Sequence, residues 1–367
     1  MIADQAKKNH LFTRTLLRWE KKNTRAMPWK GEKDPYKIWL SEIILQQTRV
    51  EQGKPYYERF IQKYPTVTDL AKAEEQEVFR LWQGLGYYNR CKNMLAAAHK
   101  IVIEHQGKFP GIYEHILALP GVGEYTAAAI ASFAFGLPYA VVDGNVQRVL
   151  ARFFGIREAV NNGRGKKIFA SLAQEVLEKK NPAVWNQAIM DFGATVCTPQ
   201  KPDCTTCLLQ KDCFAFQQKM VNRLPIKTIR AKVIKRYFTY VVISGRGKVY
   251  IHKRSGQDIW QNLYEFPLFE ENEFSEISEF LQKKAVHDLL HENSTKCFPS
   301  FRIYKQPLTH QIIYARFLHI KIKTSQTLPK NIQNDFFPVS TGELKRYAFP
   351  KIILEYMIDT NFMKNLK

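Results

Sequence analysis

The stretch LPGVGEYTAA, from Leu119 to Ala128, sets two glycines one residue apart, between a proline and an alanine-rich segment of helical character. Gly121 and Gly123 can adopt backbone angles that other residues resist, so the amides at the start of the following helix can face outward and bind an anion. A tight turn between two packed helices explains the same pattern, and a single GxG spacing does not separate the two interpretations.

The charge of the chain indicates a polyanionic partner. Its 367 residues include 55 Lys and Arg against 34 Asp and Glu, a formal net charge of +21. Nucleic acid and an acidic membrane surface both fit this excess. The longest apolar run, 127 to 135, is too short to span a bilayer, and the N-terminus lacks the apolar core of a secretory signal. We therefore expect a globular cytoplasmic, nucleoid-associated protein without a membrane segment.

Two regions of different periodicity divide the chain. Helical periodicity dominates from Asp4 to about Gln218. From about Tyr237 onward, β-rich runs flank a Gly-Arg-Gly turn, and a later run has apolar residues at every second position. The residues that this run is expected to place on one face are Ile312, Tyr314, Leu318, Ile320 and Ile322. We expect an α+β domain with one helix within 274 to 290 and another at the C-terminus.

A basic stretch lies between the two regions. From 214 to 257 there are eleven Lys or Arg and no Asp or Glu. A solvated linker accounts for such a run, and so does a strap along a phosphate backbone.

Four of the six cysteines lie within 17 residues, at Cys197, Cys204, Cys207 and Cys213. Four thiolates at this spacing suit either zinc or a 4Fe-4S cluster. A single C-x2-C pair with longer arms favours iron and sulfur over zinc, which more often takes two such pairs. We expect the group to have a structural role.

Two carboxylates have contrasting predicted environments. Asp34 is the expected N-cap of a helix that begins at Pro35, and Glu42 falls on the apolar face of that helix, where desolvation raises its pKa. Glu42 is therefore a candidate general acid, with a structural glutamate paired to an arginine as the alternative. Asp143 is an expected N-cap, and capping amides favour its anion. A protonated acid beside a fixed anion is the pair that glycosidases use.

In this order, the glycine hairpin, the two carboxylates and the four cysteines make the first 215 or so residues resemble the endonuclease III superfamily of DNA base-excision glycosylases. The resemblance implies that Gly121, Val122 and Gly123 hold a DNA phosphate, where a monovalent or divalent cation can join. It also implies that Asp143 is the catalytic aspartate and that the cysteines hold a 4Fe-4S cluster.

Further motifs are similar to those of the adenine glycosylase branch, the MutY type. LSEIILQQT resembles the segment that carries its catalytic acid, here Glu42, and Tyr125 stands where the strand-cleaving branch has its lysine nucleophile. The resemblance implies that Tyr125 and Asn145 help to orient the catalytic groups. The residues that it implies at the DNA are Arg25, Trp29, Lys30, Leu45, Gln47, Thr48, Leu85 and Tyr87.

The C-terminal region resembles the Nudix-like domain of that branch, which recognises 8-oxoguanine opposite the target adenine. LTHQ places Thr309 and His310 at its hydroxyl-histidine motif, with Leu308 where an aromatic residue is common. Thr309 as a local backbone hydrogen bonder is the alternative interpretation. Glu276 and Glu279 match the Mg²⁺-binding Nudix glutamates only in part, so we predict binding without nucleotide hydrolysis.

These features predict a mainly α N-terminal region and an α+β C-terminal domain. The expected boundaries are a six-helix domain with the helix-hairpin-helix at 30–137, an iron-sulfur domain formed by 1–29 and 138–217, a basic linker at 218–235, and a Nudix-like domain at 236–367. We predict a monomeric, monofunctional glycosylase that removes adenine mispaired with 8-oxoguanine or guanine in double-stranded DNA. An endonuclease III-type enzyme for another lesion and a non-catalytic DNA-damage-binding module are the alternatives.

Overall fold

The computed structural model describes residues 2–23, 27, 29–228, 233–284, 286, 294–299, 302–322 and 335–362. The helices are α1 Ile2–Glu20, α2 Pro35–Leu45, α3 Val50–Lys63, α4 Val67–Ala71, α5 Glu75–Trp82, α6 Asn89–His105, α7 Tyr113–Leu117, α8 Glu124–Phe135, α9 Gly144–Phe154, α10 Gly163–Glu175, α11 Pro182–Thr195, α12 Phe214–Gln217, α13 Ile277–Gln282 and α14 Lys351–Asp359. The strands are β1 Ile234–Gly245, β2 Lys248–Lys253, β3 Tyr264–Glu265, β4 Leu268–Glu271, β5 Ser294–Pro299, β6 Tyr304–Pro307, β7 Gln311–Ile322 and β8 Phe337–Ser340.

The chain forms two compact units. The first contains Met1–Lys72 and Asn93–Arg230, and the second contains Ala73–Lys92 and Ala231–Lys367. The helical character expected for the N-terminal region and the α+β character expected for the C-terminal region are both confirmed. In the described part of the chain, no helix combines the length and apolarity needed to cross a bilayer.

One hydrophobic core of the first unit forms where α1, α9, α10 and α11 meet. Apolar residues at i, i+3, i+4 and i+7 give α9 one buried face, as its sequence predicts. The residues of this face are Val146, Val149, Leu150 and Phe153. Because this packing fixes α9, it also fixes the residues at the N-terminal end of α9.

A second set of contacts in the first unit joins α2 and α8. The Asp34 carboxylate caps α2 by accepting a hydrogen bond from the Tyr36 amide at 2.9 Å, and Pro35 is the first helical residue, as expected. On α8, the alanines from 127 to 131 are fully or nearly fully buried. Their small side chains allow α2 to approach α8 closely, which brings Glu42 and Tyr125 into one region.

The second unit is built on a mixed sheet in the order β3-β2-β1-β7-β5, with β1 and β7 parallel at its centre. The β-rich runs around the Gly-Arg-Gly turn form the expected antiparallel pair β1 and β2. The helix α13 lies within the segment 274–290 where a helix is expected, of which 287–290 fall outside the described residues, and α14 is the helix expected near the C-terminus.

The residues expected on one face of β7 share that face, and Leu318 and Ile320 are buried there in a cluster that Ile322 joins, but the opposite face of the strand is buried as well. Ile312 and Tyr314 are only half-buried, whereas Ile313 and Phe317, which point the other way, are fully buried. Both faces of the sheet are covered: Phe280 of α13 joins one buried cluster on the sheet, and Tyr356 of α14 stacks on Phe317 with ring centroids 3.9 Å apart. Strict alternation is expected only when one face meets water.

Candidate active site

The glycine hairpin leads directly into α8. Gly121 has φ +73, in the left-handed region, and a Cβ there would lie 2.6 Å from the Asn93 Cβ. Gly123 is the N-cap of α8 with φ −97, an ordinary extended angle, so the expectation of unusual backbone angles holds for Gly121 alone. Gly121 and Gly123 are exposed, and a Cβ on Gly123 would meet open space. The first amides of α8 therefore lie where an anion could reach them.

Glu42 is a partly buried residue on the face of α2 that includes buried Ile38 and Trp39. Its pKa is raised to about 7: burial is the largest cause, a hydrogen bond from the Tyr125 hydroxyl opposes it, and the negative charge of Asp143 adds to the rise. The predicted rise in the Glu42 pKa is confirmed. Among the described residues Glu42 has no ion pair with an arginine.

Asp143 caps α9 as expected. One carboxylate oxygen accepts the Val146 amide and the other accepts the Asn145 side-chain amide, each at 2.7 Å. Burial nevertheless raises the pKa of Asp143, against these hydrogen bonds and the charge of Arg148. The sequence-based expectation considered the capping amides alone, which favour the anion. Desolvation of the carboxylate is the larger effect.

The structure brings Glu42, Tyr125 and Asp143 close enough to interact electrostatically. Burial and the charges of both carboxylates raise the pKa of Tyr125, which keeps its hydroxyl protonated as the donor to Glu42. The arrangement therefore combines a carboxylic acid that can hold a proton near neutral pH with a second, hydrogen-bonded carboxylate.

Arg148 supports this site and was missed from the sequence. Its guanidinium donates to Asn145 Oδ1 at 2.8 Å, to the Gly193 carbonyl at 2.5 Å and to the Cys197 carbonyl at 2.7 Å. It therefore holds the amide that donates to Asp143. An arginine on the helix that Asp143 caps was visible in the sequence, but the carbonyls that it meets belong to α11 and to the residues after it.

A second buried arginine, Arg152, contacts the cysteine segment. Its Nη1 donates to the Thr198 carbonyl at 2.7 Å and lies 3.3 Å from Cys197 Sγ. Burial raises the pKa of Cys207 to about 11, and the charges of the other three thiols contribute to the rise. The four thiols are thus close enough to affect one another electrostatically. Among the described residues, no group of three or more His, Cys, Asp or Glu side chains has the arrangement of a metal site.

Several predicted DNA-contact residues lie at exposed turns of the first unit. Leu45 ends α2, Gln47 follows in a left-handed conformation with φ 60 and an exposed side chain, and Thr48 is half-buried. Lys30 forms an ion pair with buried Asp191 at 3.2 Å. Trp29 packs edge-on against Tyr57. Arg25 lies outside the described residues.

The remaining predicted contacts lie in the second unit. Leu85 is buried, and exposed Tyr87 has φ 49. The Tyr87 hydroxyl lies 2.9 Å from Thr309 Oγ1, a hydroxyl contact that the sequence does not reveal. Exposed Thr309 and His310 occupy the turn before β7 with half-buried Leu308, whose amide donates to the Gln311 carbonyl at 2.8 Å.

Two known families match this chain. The family described as "HhH-GPD superfamily base excision DNA repair protein" matches residues 40–178, and the family described as "NUDIX domain" matches residues 238–358. A relative from Buchnera aphidicola subsp. Acyrthosiphon pisum, named "Adenine DNA glycosylase", is 34% identical over 293 residues, which cover 80% of this chain and 83% of the relative. A relative of the same name from Rattus norvegicus is 43% identical over 222 residues, which cover 58% of this chain and 43% of the relative.

Solved structures agree on the fold of the N-terminal region. A "thermostable thymine-DNA glycosylase" is 33% identical, with a TM-score of 0.54 over 58% of this chain and 98% of that one. A "non-covalent Endonuclease III-DNA Complex" is 20% identical, with a TM-score of 0.52 over 59% of this chain and 98% of that one. At this identity the likeness shows the fold alone.

Proposed function

This chain belongs to the adenine DNA glycosylases of the HhH-GPD base excision repair superfamily, and we propose that it is a monofunctional enzyme that hydrolyses the glycosidic bond of adenine opposite 8-oxoguanine in duplex DNA. The observation that carries the proposal is the Glu42 carboxyl, with a pKa of about 7, hydrogen-bonded by Tyr125 and next to Asp143. Such a group can be protonated at neutral pH and still transfer its proton readily.

The reaction begins when adenine leaves the base stack, at a cost of a few kcal/mol that is smaller for a mispair than for a matched pair. Glu42 donates its proton to a ring nitrogen of adenine. The bonding electrons of the glycosidic bond then depart with the base, and positive charge develops on the deoxyribose. Asp143, fixed by Val146 and Asn145, stabilises this charge. Water adds to the sugar, and its proton returns to Glu42.

Position 125 holds a tyrosine where the bifunctional enzymes have a lysine, which supports hydrolysis without strand cleavage. Cleavage in the related bifunctional enzymes needs an amine that forms a Schiff base with the sugar, and a phenol cannot form one. The Tyr125 hydroxyl is instead engaged as a donor to Glu42. Its role is to orient the acid and to limit the rise in its pKa.

The glycine hairpin supports binding to the DNA backbone. The start of α8 offers amides and the positive end of the helix dipole, a combination that suits a phosphate oxygen or a cation-bridged phosphate. Such a contact fixes the position of the enzyme on the duplex without reading the base sequence. Gln47 and Tyr87, both exposed with left-handed backbone angles, are the side chains proposed to enter the space left by adenine.

The turn with Leu308, Thr309 and His310 is the proposed reader of 8-oxoguanine. It is exposed and presents a hydroxyl and an imidazole, which can hydrogen-bond to an oxidised purine. Among the described residues of this unit, two glutamates with little-exposed side chains form ion pairs. Glu265 pairs with Arg254, and Glu271 pairs with Arg316 and Lys283, which fits a domain that binds and does not hydrolyse nucleotides.

The cysteines Cys197, Cys204, Cys207 and Cys213 are the proposed ligands of a 4Fe-4S cluster. The donor set fits, because four partly buried cysteines lie within one short segment and an iron-sulfur cluster is held by four cysteine thiolates. The cluster would supply cross-links that order this segment. Arg152 and Arg148 hold the backbone of the same segment by hydrogen bonds to its carbonyls.

Single-turnover base release tests the proposed function. The protein is mixed in excess with duplexes that contain adenine opposite 8-oxoguanine, guanine or thymine, and thymine opposite guanine. We expect adenine release, fastest opposite 8-oxoguanine and absent opposite thymine. Preferential release of thymine would identify a different glycosylase, and tight binding without release would identify a binding module; either result contradicts the proposal. Glu42→Gln should slow release by about 10²- to 10⁴-fold and leave duplex binding intact.

A further inference from the structure

A groove of about 700 Å³ in the first unit runs along the exposed side of α1. Lys7, Leu11, Arg14 and Arg18 line it at i, i+4, i+7 and i+11, so they share one face of the helix. The opposite wall includes Gln217, which ends α12. The groove is therefore formed by α1 together with residues on both sides of Cys213, namely Asp212 and Gln217.

Positive side chains outnumber carboxylates among the residues that line the groove. Among the described residues, none of Lys7, Lys8, Arg14 and Arg18 forms an ion pair, although the carboxylates of Asp4 and Asp212 also line the groove. Lys8 lies over the rings of Phe153 and Phe154, which fixes its stem against the core. Four Lys and Arg against two Asp leave the described lining of the groove with an excess of positive charge.

We propose that this groove binds the phosphodiester backbone of nucleic acid at a site separate from the glycine hairpin. Lys7 and Arg18 are separated by about 16 Å along the helix axis, roughly the rise of five nucleotides of one strand. A line of cations matches a line of phosphates better than it matches a small anion. Guanidinium groups also bind phosphate oxygens in a bidentate manner.

Two further observations favour nucleic acid over an acidic protein. Leu11, 40% exposed, is the one large apolar side chain among the described residues that line the groove, whereas protein interfaces usually have an apolar centre. At Gln217 the groove also includes part of the stretch from 214 to 228, which holds three Lys or Arg and no acidic residue. The proposal goes beyond the glycosylase function, because such a contact requires neither a mispair nor an oxidised base.

Salt-dependent binding of an undamaged 30-base-pair duplex tests the proposal. The test variant combines Lys7→Gln, Arg14→Gln and Arg18→Gln, and the control combines Lys72→Gln, Lys179→Gln and Lys180→Gln, exposed lysines outside the groove with the same change in net charge. Each lost phosphate contact lowers the slope of log K against log salt by about 0.9, so the groove variant should lose about 2 to 3 in slope. The control should change far less.

Equal slopes for the groove variant and the control would overturn the proposal. So would a groove variant that binds duplex like the wild type but loses binding to poly-glutamate, because that result assigns the groove to acidic proteins. A conservative triple variant, Lys7→Arg with Arg14→Lys and Arg18→Lys, keeps the charge and should keep the slope; loss of slope there would also contradict the proposal. Because no base is released in this assay, its outcome is independent of the adenine glycosylase function.

Discussion

Replacement of Glu42 by glutamine should stabilise the protein at alkaline pH while it removes activity. Burial raises the pKa of Glu42 from its ordinary value of 4.5 to about 7, so between these pH values the folded chain keeps a proton that the unfolded chain has lost. The folded state therefore becomes less stable relative to the unfolded state as the pH rises through this window. Linkage puts the full cost above pH 7 at no more than about 3.5 kcal/mol, at about 1.4 kcal/mol for each pKa unit.

Glutamine has the same size and carries no charge at any pH in this window. Because part of the Glu42 side chain is accessible to solvent, we expect Glu42→Gln to stabilise the protein by about 1 to 3 kcal/mol at pH 8 and by much less at pH 5. A gain of this kind is typical of active sites, where a group that function requires is held in an environment that destabilises it.

Thermal unfolding followed by circular dichroism at pH 5 and pH 8 measures this difference. For a unit of 150 to 250 residues, 1 kcal/mol corresponds to about 2 to 4 °C. Glu42→Gln should thus raise the unfolding midpoint by several degrees at pH 8 relative to wild type, with a smaller change at pH 5. The control Glu51→Gln alters an exposed glutamate at the start of α3 and should show no such pH dependence. A variant less stable than wild type at pH 8 would refute the reasoning.

Three further substitutions test other parts of the site. Tyr125→Phe removes the hydroxyl that lowers the pKa of Glu42, so the midpoint of the pH profile of adenine release should move upward by about one unit; an unchanged midpoint would exclude the contact. Gly193→Ala places a Cβ 2.8 Å from the Asn145 Cβ, an overpacking that costs about 1 to 3 kcal/mol, so we expect a lower unfolding midpoint and slower adenine release. Cys204→Ser should lose most of its bound iron and visible absorbance, measured by metal analysis of anaerobically purified protein.

Each of these changes has a matched control. Tyr113→Phe alters a half-buried tyrosine of α7 and should leave the pH midpoint in place. Gly163→Ala, at the start of α10, adds a Cβ where no atom lies within 4 Å and should leave adenine release unchanged. Cys91→Ser alters a fully buried cysteine of α6 and should retain iron, whereas equal iron in the Cys204 and Cys91 variants would contradict the proposed ligands.

Local signals in the sequence were sufficient to predict the N-caps of α2 and α9 and to select the two carboxylates as catalytic candidates. An N-cap depends on residues within one turn, so Asp34 and Asp143 could be identified as caps from the chain alone. The apolar face of α2 likewise indicated that Glu42 would be desolvated, since helical periodicity places its neighbours. The contact between α2 and α8, however, depends on helix packing, and the sequence gives no distance between Glu42 and Tyr125.

The sequence by itself determined the candidate residues: a glutamate on an apolar helix face, a capping aspartate, a glycine turn before a helix and four clustered cysteines. The tertiary structure alone decided how strongly each is perturbed and what holds it. It showed that burial outweighs capping at Asp143 and that Arg148 meets carbonyls of α11 and the cysteine segment. It also showed that both faces of β7 are covered. Desolvation and long-range hydrogen bonds depend on elements distant in the chain, so local patterns cannot encode them.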